Sequence, residues 1–424
     1  MKQALTVLGA VASLAGLFIA YSAWAGPLDP PAGPVTSTYK TLTEVEPRTA
    51  INTTNTPGDA DSLFKITQPG SYYLTGNITG VAGRHGVEIA ASGVTLDLMG
   101  FDLSGLPASL DGVSATVSNL TNITVRNGSV RAWGDEGVDL GTNSADNSAV
   151  IDVRASGNAG SGILAHTGCT ITGCTAYDNG GNGITTDNGC TISNCTASFN
   201  TANGISTGNT CTITGCSAYA NGGNGISTNS VCTITGCSAS QNSGDGILIS
   251  SGTINNCMAW GNDGNGISAG GSATITSCHS IANQANGISA GSGCTISNNS
   301  VRASNLNGIA VTGDCLVLAN ACSVNGFPGI GGGIGDGAGI HATGADNRIE
   351  GNNCTDADRG IDVDVAGNII IRNTCSGNTI NWSIAIGNSF GPIVVAGTNA
   401  AVVNTNGAVA GNLGSTDPNA NFSY

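Results

Sequence analysis

Charge is scarce in this 424-residue chain, and most of it is negative: 12 Lys and Arg stand against 27 Asp and Glu, a net charge of −15. A surface so poor in cations cannot hold a polyanionic backbone, which excludes nucleic acid as a partner. From Ala155 to Val301 there is neither Lys nor Arg, so the central repeats cannot supply the basic proton acceptor of a lyase. The chain has only 4 His, and none accompanies a cysteine pair at ligand spacing, which argues against structural zinc. A long apolar run occurs only once, from Ala4 to Tyr21 after Lys2, and it ends at the small-residue site Ala23-Trp24-Ala25. This reads as a secretory signal over residues 1–25. As no second run of spanning length follows, we expect a mature chain without a transmembrane segment, secreted or held at the cell surface or in the periplasm of a bacterial-type exporter.

What the chain has in abundance is Gly, 66 residues of it, with Ser, Thr and Asn, a composition suited to turn-rich β structure. The dipeptide Gly-Ile returns at Gly162, Gly183, Gly204, Gly225, Gly246, Gly266, Gly287 and Gly308, in steps of twenty or twenty-one residues. A unit this short cannot bury an apolar face alone and must stack on its copies. In the rung CTITGCSAYANGGN (211–224) followed by GIST, alternation turns Ile213, Cys216, Ala218 and Ile226 inward and Ser217, Tyr219 and Ser227 outward. Asn179, Asn200, Asn221, Asn242, Asn262 and Asn283 form one column, and Asn182, Asn203, Asn224, Asn265, Asn286 and Asn307 another. Both are expected at bends that need left-handed backbone and side chains able to bond the main chain.

The 15 cysteines also fall in columns. One holds Cys169, Cys190, Cys211, Cys232, Cys294 and Cys315, with Gly252 and Ala273 in the vacated places; the other holds Cys174, Cys195, Cys216, Cys237, Cys257, Cys278, Cys322, Cys354 and Cys375. Side chains projecting in parallel from stacked strands are held wider than a relaxed disulfide prefers, so buried thiol ladders are expected.

Four segments follow: the signal (residues 1–25), an N-terminal arm (26–61) in the Pro-rich stretch Pro27 to Pro69, the stack (62–375), and a tail (376–424) that caps its open end. Thirteen Gly-Ile or Gly-Val marks from Gly86 to Gly360 indicate about thirteen coils. The interval from Gly308 to Gly339 has a surplus, GFPGIGGGIGDGA, read as a protruding loop. The repeated N-G-I and C-T-I-T-G-C resemble the right-handed parallel β-helix family, the pectate-lyase-like superfamily, over about residues 62–375. The arm TLTEVEPRTAI and the ending GPIV to TDPNANFSY resemble those of bacterial exported β-helix proteins. The resemblance implies an all-β, single-stranded right-handed parallel β-helix. It leaves function open, since that scaffold serves lyases, hydrolases, epimerases and adhesins. The Gly-His-Gly and Arg-Ile-Lys motifs that polygalacturonases carry do not occur.

Positions that break the repeat are the functional candidates. A column read as Trp133, Ser156, Tyr177, Ser198, Tyr219, Ser240 and Trp260 puts an aromatic on every other coil, about 9.6 Å apart. This is near the length of a disaccharide, and Trp133, Tyr177, Tyr219 and Trp260 would form a polysaccharide-binding track. The same alternation would arise if a continuous aromatic stack were avoided because it crowds or aggregates. Arg131 and Arg154, with Asp135, Glu136 and Asp139 nearby, could grip an acidic glycan or simply form a solvated ion cluster. At the other end lie His341, Asp356, Asp358, Arg359, Asp362 and Asp364. In GIDVDV both Asp should face outward about 6.6 Å apart, inside the window for an inverting hydrolase, with His341 sharing a proton and Arg359 holding a substrate carboxylate. Alternatively Asp356, Asp358, Asp362 and Asp364 bind Ca²⁺, or the charges discourage end-to-end strand addition. The composite expectation is a monomer that binds extracellular polysaccharide without cleaving it. The alternatives are a polysaccharide lyase or glycoside hydrolase acting at Asp362 and Asp364, and a structural stalk or adhesin.

Overall fold

The computed structural model describes residues 46–143, 145–326, 337–395 and 415–424. The signal segment, most of the N-terminal arm, the surplus loop at 327–336 and tail residues 396–414 lie outside the described residues. Of the described residues before Thr49, Arg48 pairs with Glu46 at 2.7 Å. The described residues from Thr49 onward form the stack. Among the described residues no helix is long and apolar enough to cross a membrane.

Each central coil contributes three short parallel strands. For the rung at Cys211 these are Thr212–Thr214, Ser217–Tyr219 and Ile226–Thr228, which pair in register with Thr233, Ser238 and Ile247 of the next coil. The third strands line up in a fifteen-stranded sheet, and the first two belong to a much larger one. The thirteen coils expected from Gly-Ile and Gly-Val marks therefore fall short. The additional strands are Ser62–Ile66 and Ile380–Ile384, the first and last of that sheet. Neither carries the Gly mark. Elsewhere that Gly presses against the following coil, a Cβ on Gly204 lying 2.6 Å from the Gly225 carbonyl oxygen, and Ile380–Ile384, the last strand of its sheet, has no following strand there. Regular pairing also starts before Ser62, at Thr49–Ala50, which pairs with Tyr72 and Tyr73.

The interior is filled by Ile columns such as Ile171, Ile192, Ile213 and Ile234, all fully buried. All 15 cysteines are buried free thiols. The second cysteine column, however, is two columns. After Cys278 its place passes to Asn299, whose Oδ1 accepts the Cys278 N–H at 2.9 Å, and then to Asn320, Asn352 and Asn373. Cys322, Cys354 and Cys375 stand instead where earlier coils have Ala218, Ala239, Ala259, Ser280 and Val301.

The asparagine side chains bond the main chain as expected, but the asparagines do not themselves adopt the left-handed backbone. Left-handed backbone falls on the residues just before the first Asn column, at Asp178, Phe199, Ala220, Gln241 and Ala282, rather than on the asparagines. Their side chains turn inward: Asn200 Nδ2 donates to Asn221 Oδ1 at 2.9 Å and to the Ala176 carbonyl at 3.2 Å. The Asn221 Oδ1 also accepts the Asn200 N–H at 3.1 Å. The ladder thus satisfies buried main-chain groups at a corner where the sheet pattern cannot.

Candidate functional site

The outward line of aromatics is set by strand register. Arg131, Ser156, Tyr177, Ser198, Tyr219, Ser240, Trp260, Ile281 and Arg302 are successive partners. Tyr177, Tyr219 and Trp260 are 48%, 38% and 43% exposed, as the alternation implies. Trp133 is not part of the line. The coil before Ser156 is 25 residues long, so Arg131 takes the position assigned to the tryptophan. Trp133 is 1% exposed, its indole N–H donates to the Leu103 carbonyl at 3.1 Å, and its ring lies against Gly80, Gly86, Gly105 and Gly112. A Cβ on Gly105 would stand 2.6 Å from the ring, so these glycines form the slot that holds it.

The line gains a member that alternation hid. Phe199, 47% exposed, sits in a left-handed bend (φ 58°) beside buried Ser198. Its ring centroid lies 5.5 Å from that of Tyr177 and 5.4 Å from that of Tyr219, edge to face in both cases. Neighbouring coils put Asp178, Ala220 and Gln241 at this bend. The signal available in the sequence was the change from those residues to an apolar ring at position 199. Three rings are therefore continuous over three coils, with Trp260 two coils further on. Arg131 and Arg302 flank the line in register. Arg131 is paired to Asp102 at 2.8 Å, whereas Arg302, exposed, has no ion-pair partner among the described residues. Arg154 lies in a neighbouring column and donates to Ser129 Oγ at 3.2 Å.

The C-terminal acidic group is partly assembled. His341 pairs in register with Asp362, one coil apart. His341 Nε2 lies 3.0 Å from Asp364 Oδ2 and 3.9 Å from Asp362 Oδ2. Three features depart from the hydrolase geometry. Asp362 is only 3% exposed, and Arg359 donates to it at 2.7 Å. Oxygens of Asp362, Asp364 and the His341 nitrogen all lie within 4.8 Å of one another, closer than the separation that leaves room for a nucleophilic water in an inverting hydrolase. Arg359 is thereby engaged within the protein at the atom where a substrate carboxylate would be held. Asp356 lies in an exposed left-handed bend, and neither it nor Asp358 joins the group. The four-Asp cation site is therefore not brought together.

The N-terminal coils carry two further clusters. Asp111, Asp135 and Glu136 converge within 4.8 Å, and His85 Nδ1 lies 3.2 Å from Asp111. Burial, together with Asp135 and Asp111 alongside, pushes the Glu136 carboxyl up to about 8. Asp59, Asp61 and Glu88 form the other cluster, around Lys65.

The family model described as "Right handed beta helix region" matches residues 70–207 and 184–324. No curated protein sequence matches the chain. Among solved structures, the A-module of mannuronan C-5 epimerase AlgE4 of Azotobacter vinelandii is 14% identical, with a TM-score of 0.40 over 76% of this chain and 91% of that one. The N-terminal fragment of gene product 12 of bacteriophage Phi29 is 12% identical, with a TM-score of 0.43 over 74% of this chain and 77% of that one. Nothing about substrate or activity passes from either to this chain.

Proposed function

The chain belongs to the right-handed β-helix family, and on that scaffold we propose an exported protein that binds extracellular polysaccharide along the line Tyr177, Phe199, Tyr219 and Trp260, without cleaving it. The observation that carries this reading is the continuous exposed ring system at Tyr177, Phe199 and Tyr219. Rings standing in the open along a rigid face offer apolar area to the C–H faces of sugars, while flanking Ser and Thr hydroxyls supply hydrogen bonds. Edge-to-face contact with Phe199 fixes the two tyrosines, so less side-chain freedom is lost when a glycan lies on them. The line runs along the stack axis, which suits an extended chain rather than a monosaccharide.

The test is retention on a panel of extracellular glycans, by the intact protein and by a Tyr177→Ala, Phe199→Ala, Tyr219→Ala, Trp260→Ala variant. A drop in affinity of at least about tenfold is expected from losing four ring contacts. Unchanged retention by the variant would remove the track, and absence of any retention would favour a structural stalk. The enzymatic alternative keeps one favourable observation, the 3.0 Å contact between His341 and half-exposed Asp364. Cleavage of any glycan on the panel, abolished by Asp364→Asn, would replace the binding reading with it.

A further inference from the structure

The first strands of seven successive central coils, from Thr170–Thr172 to Thr295–Ser297, read TIT, TIS, TIT, TIT, TIN, TIT and TIS. The middle Ile is fully buried in every one, so the residues on either side of it face outward. The leading position is Thr in all seven coils, and the trailing one carries a hydroxyl everywhere except at Asn255. Each strand pairs with the next without a slip, Thr170 opposite Thr191 and so on to Thr274 opposite Thr295. The leading Thr is exposed in five coils and half-buried at Thr253 and Thr295. None of these leading hydroxyls bonds to the protein among the described residues. In the trailing column Thr172 and Ser193 share a hydrogen bond of 2.7 Å, and Ser297 donates to Thr276 at 3.4 Å. No charged residue stands on the seven strands. The array stops at Ala149 on one side and Leu316 on the other. Its rows repeat about every 4.8 Å along the stack for roughly 29 Å, and its two columns stand about 6.6 Å apart.

We propose that this face binds the surface of an ice crystal. Both of its repeats lie near oxygen spacings of hexagonal ice, so water held over the rows is in step with the lattice in two directions at once. Thr suits that task because each side chain sets a methyl beside a hydroxyl. The methyl orders water without competing for its hydrogen bonds, and the hydroxyl anchors it as donor or acceptor. β-Branching restricts χ1, so the rows stand alike and lose little freedom when water freezes onto them. The occupant must also be uncharged, since the face offers neither cation nor anion for an ion pair. A protein partner would be met by aromatic, Met or Arg anchors, and the seven strands contain none. The aromatic line lies on the second strand of each coil, across a left-handed bend at Gly173, Asn194, Gly215 and Gly236. The two surfaces are therefore distinct, and this assignment does not depend on glycan binding.

The experiment is partition of the intact protein into slowly grown ice, together with inhibition of ice recrystallisation, with thermal unfolding followed in parallel. The wild type should concentrate in the ice and keep its crystals small. Thr212→Tyr and Thr274→Tyr put bulk on two separate strands of the array while leaving the core untouched. Each should raise the concentration needed to halt recrystallisation at least about tenfold, with the Tm of the wild type retained. Should one of them fail to fold, the other carries the test. Ser227→Tyr sets the same bulk on the third strand of a coil and should keep full activity on ice. The variant lacking the rings of Tyr177, Phe199, Tyr219 and Trp260 should keep it as well. Exclusion of the wild type from ice, undiminished activity in the folded Thr variants, or an equal loss in Ser227→Tyr would each overturn the assignment. So would retention on an insoluble glycan that depends on Thr212 and Thr274 in a protein inactive on ice.

Discussion

At the residue scale, Cys and Asn exchange places because both offer an acceptor at the same point. The Cys216 N–H donates to Cys237 Sγ at 3.4 Å, and the Cys278 N–H donates to Asn299 Oδ1 at 2.9 Å. The thiols therefore act as polar ladder members as well as small apolar fillers. Trp133 is the opposite case, a large ring whose place exists only because four glycines leave it open. We expect Trp133→Ala to cost about 3–5 kcal/mol in urea unfolding, and Gly105→Ala to be destabilising as well, since its new methyl would overlap the ring. Glu136 predicts a pH dependence. Its carboxyl, near 4.5 in the unfolded chain, is raised to about 8 in the fold, so between those values the folded state binds more protons and stability falls as pH rises. His85 acts in the same direction. Burial opposes its charge, but Asp111 and the fields of Asp61 and Glu88 outweigh that and raise its pKa, so its contribution is present at low pH and lost as pH climbs through the folded value. The Tm should decline from pH 5 to pH 8, and Glu136→Gln should flatten that slope; an unchanged slope would contradict the assignment.

At the element scale, coil length decides which residues align. Where the step is 20 or 21 residues, inward and outward positions were legible from alternation alone, and Tyr177, Tyr219 and Trp260 stand where it put them. Where the step lengthens, a constant count fails: the 25-residue coil exchanged Arg131 for Trp133. The later cysteines were misread for another reason, since Cys322 stands two residues beyond Asn320, which continues the column from Cys278 and Asn299. The count of coils failed at both ends because neither terminal strand carries the Gly mark; Ile380–Ile384, with no following strand in its sheet, has no neighbour to demand it. The Asn ladder is the element that continuous alignment makes possible. Asn200→Ala should leave the Asn179 amide and the Ala176 carbonyl unmet in a buried corner, at a cost of about 2–4 kcal/mol. Hydrogen exchange should accelerate in the coils around Asn200 more than at Asn373; uniform acceleration would argue against local coupling between neighbouring coils.

At the scale of the whole molecule, the stack is a ruler on which chemistry is placed by coil number. The aromatic line lies on its central coils, with acid clusters towards either end. Abundant Gly, Asn and Ile at a fixed period determined that this chain would be a parallel β-solenoid with buried thiols, because only stacking can bury so short a unit and identical positions must then superpose. The sequence also marked His341 and Asp362 as neighbours, since one coil separates them. Tertiary structure decided the exposure that alternation could not give. Phe199 turns out of a left-handed bend to join two tyrosines, Trp133 turns into a glycine slot, and Asp362 is covered and held by Arg359. Periodicity fixes where a Cα recurs along the axis, but exposure depends on bend conformation, coil length and the side chains of adjacent coils, which take their values only once the coils are stacked.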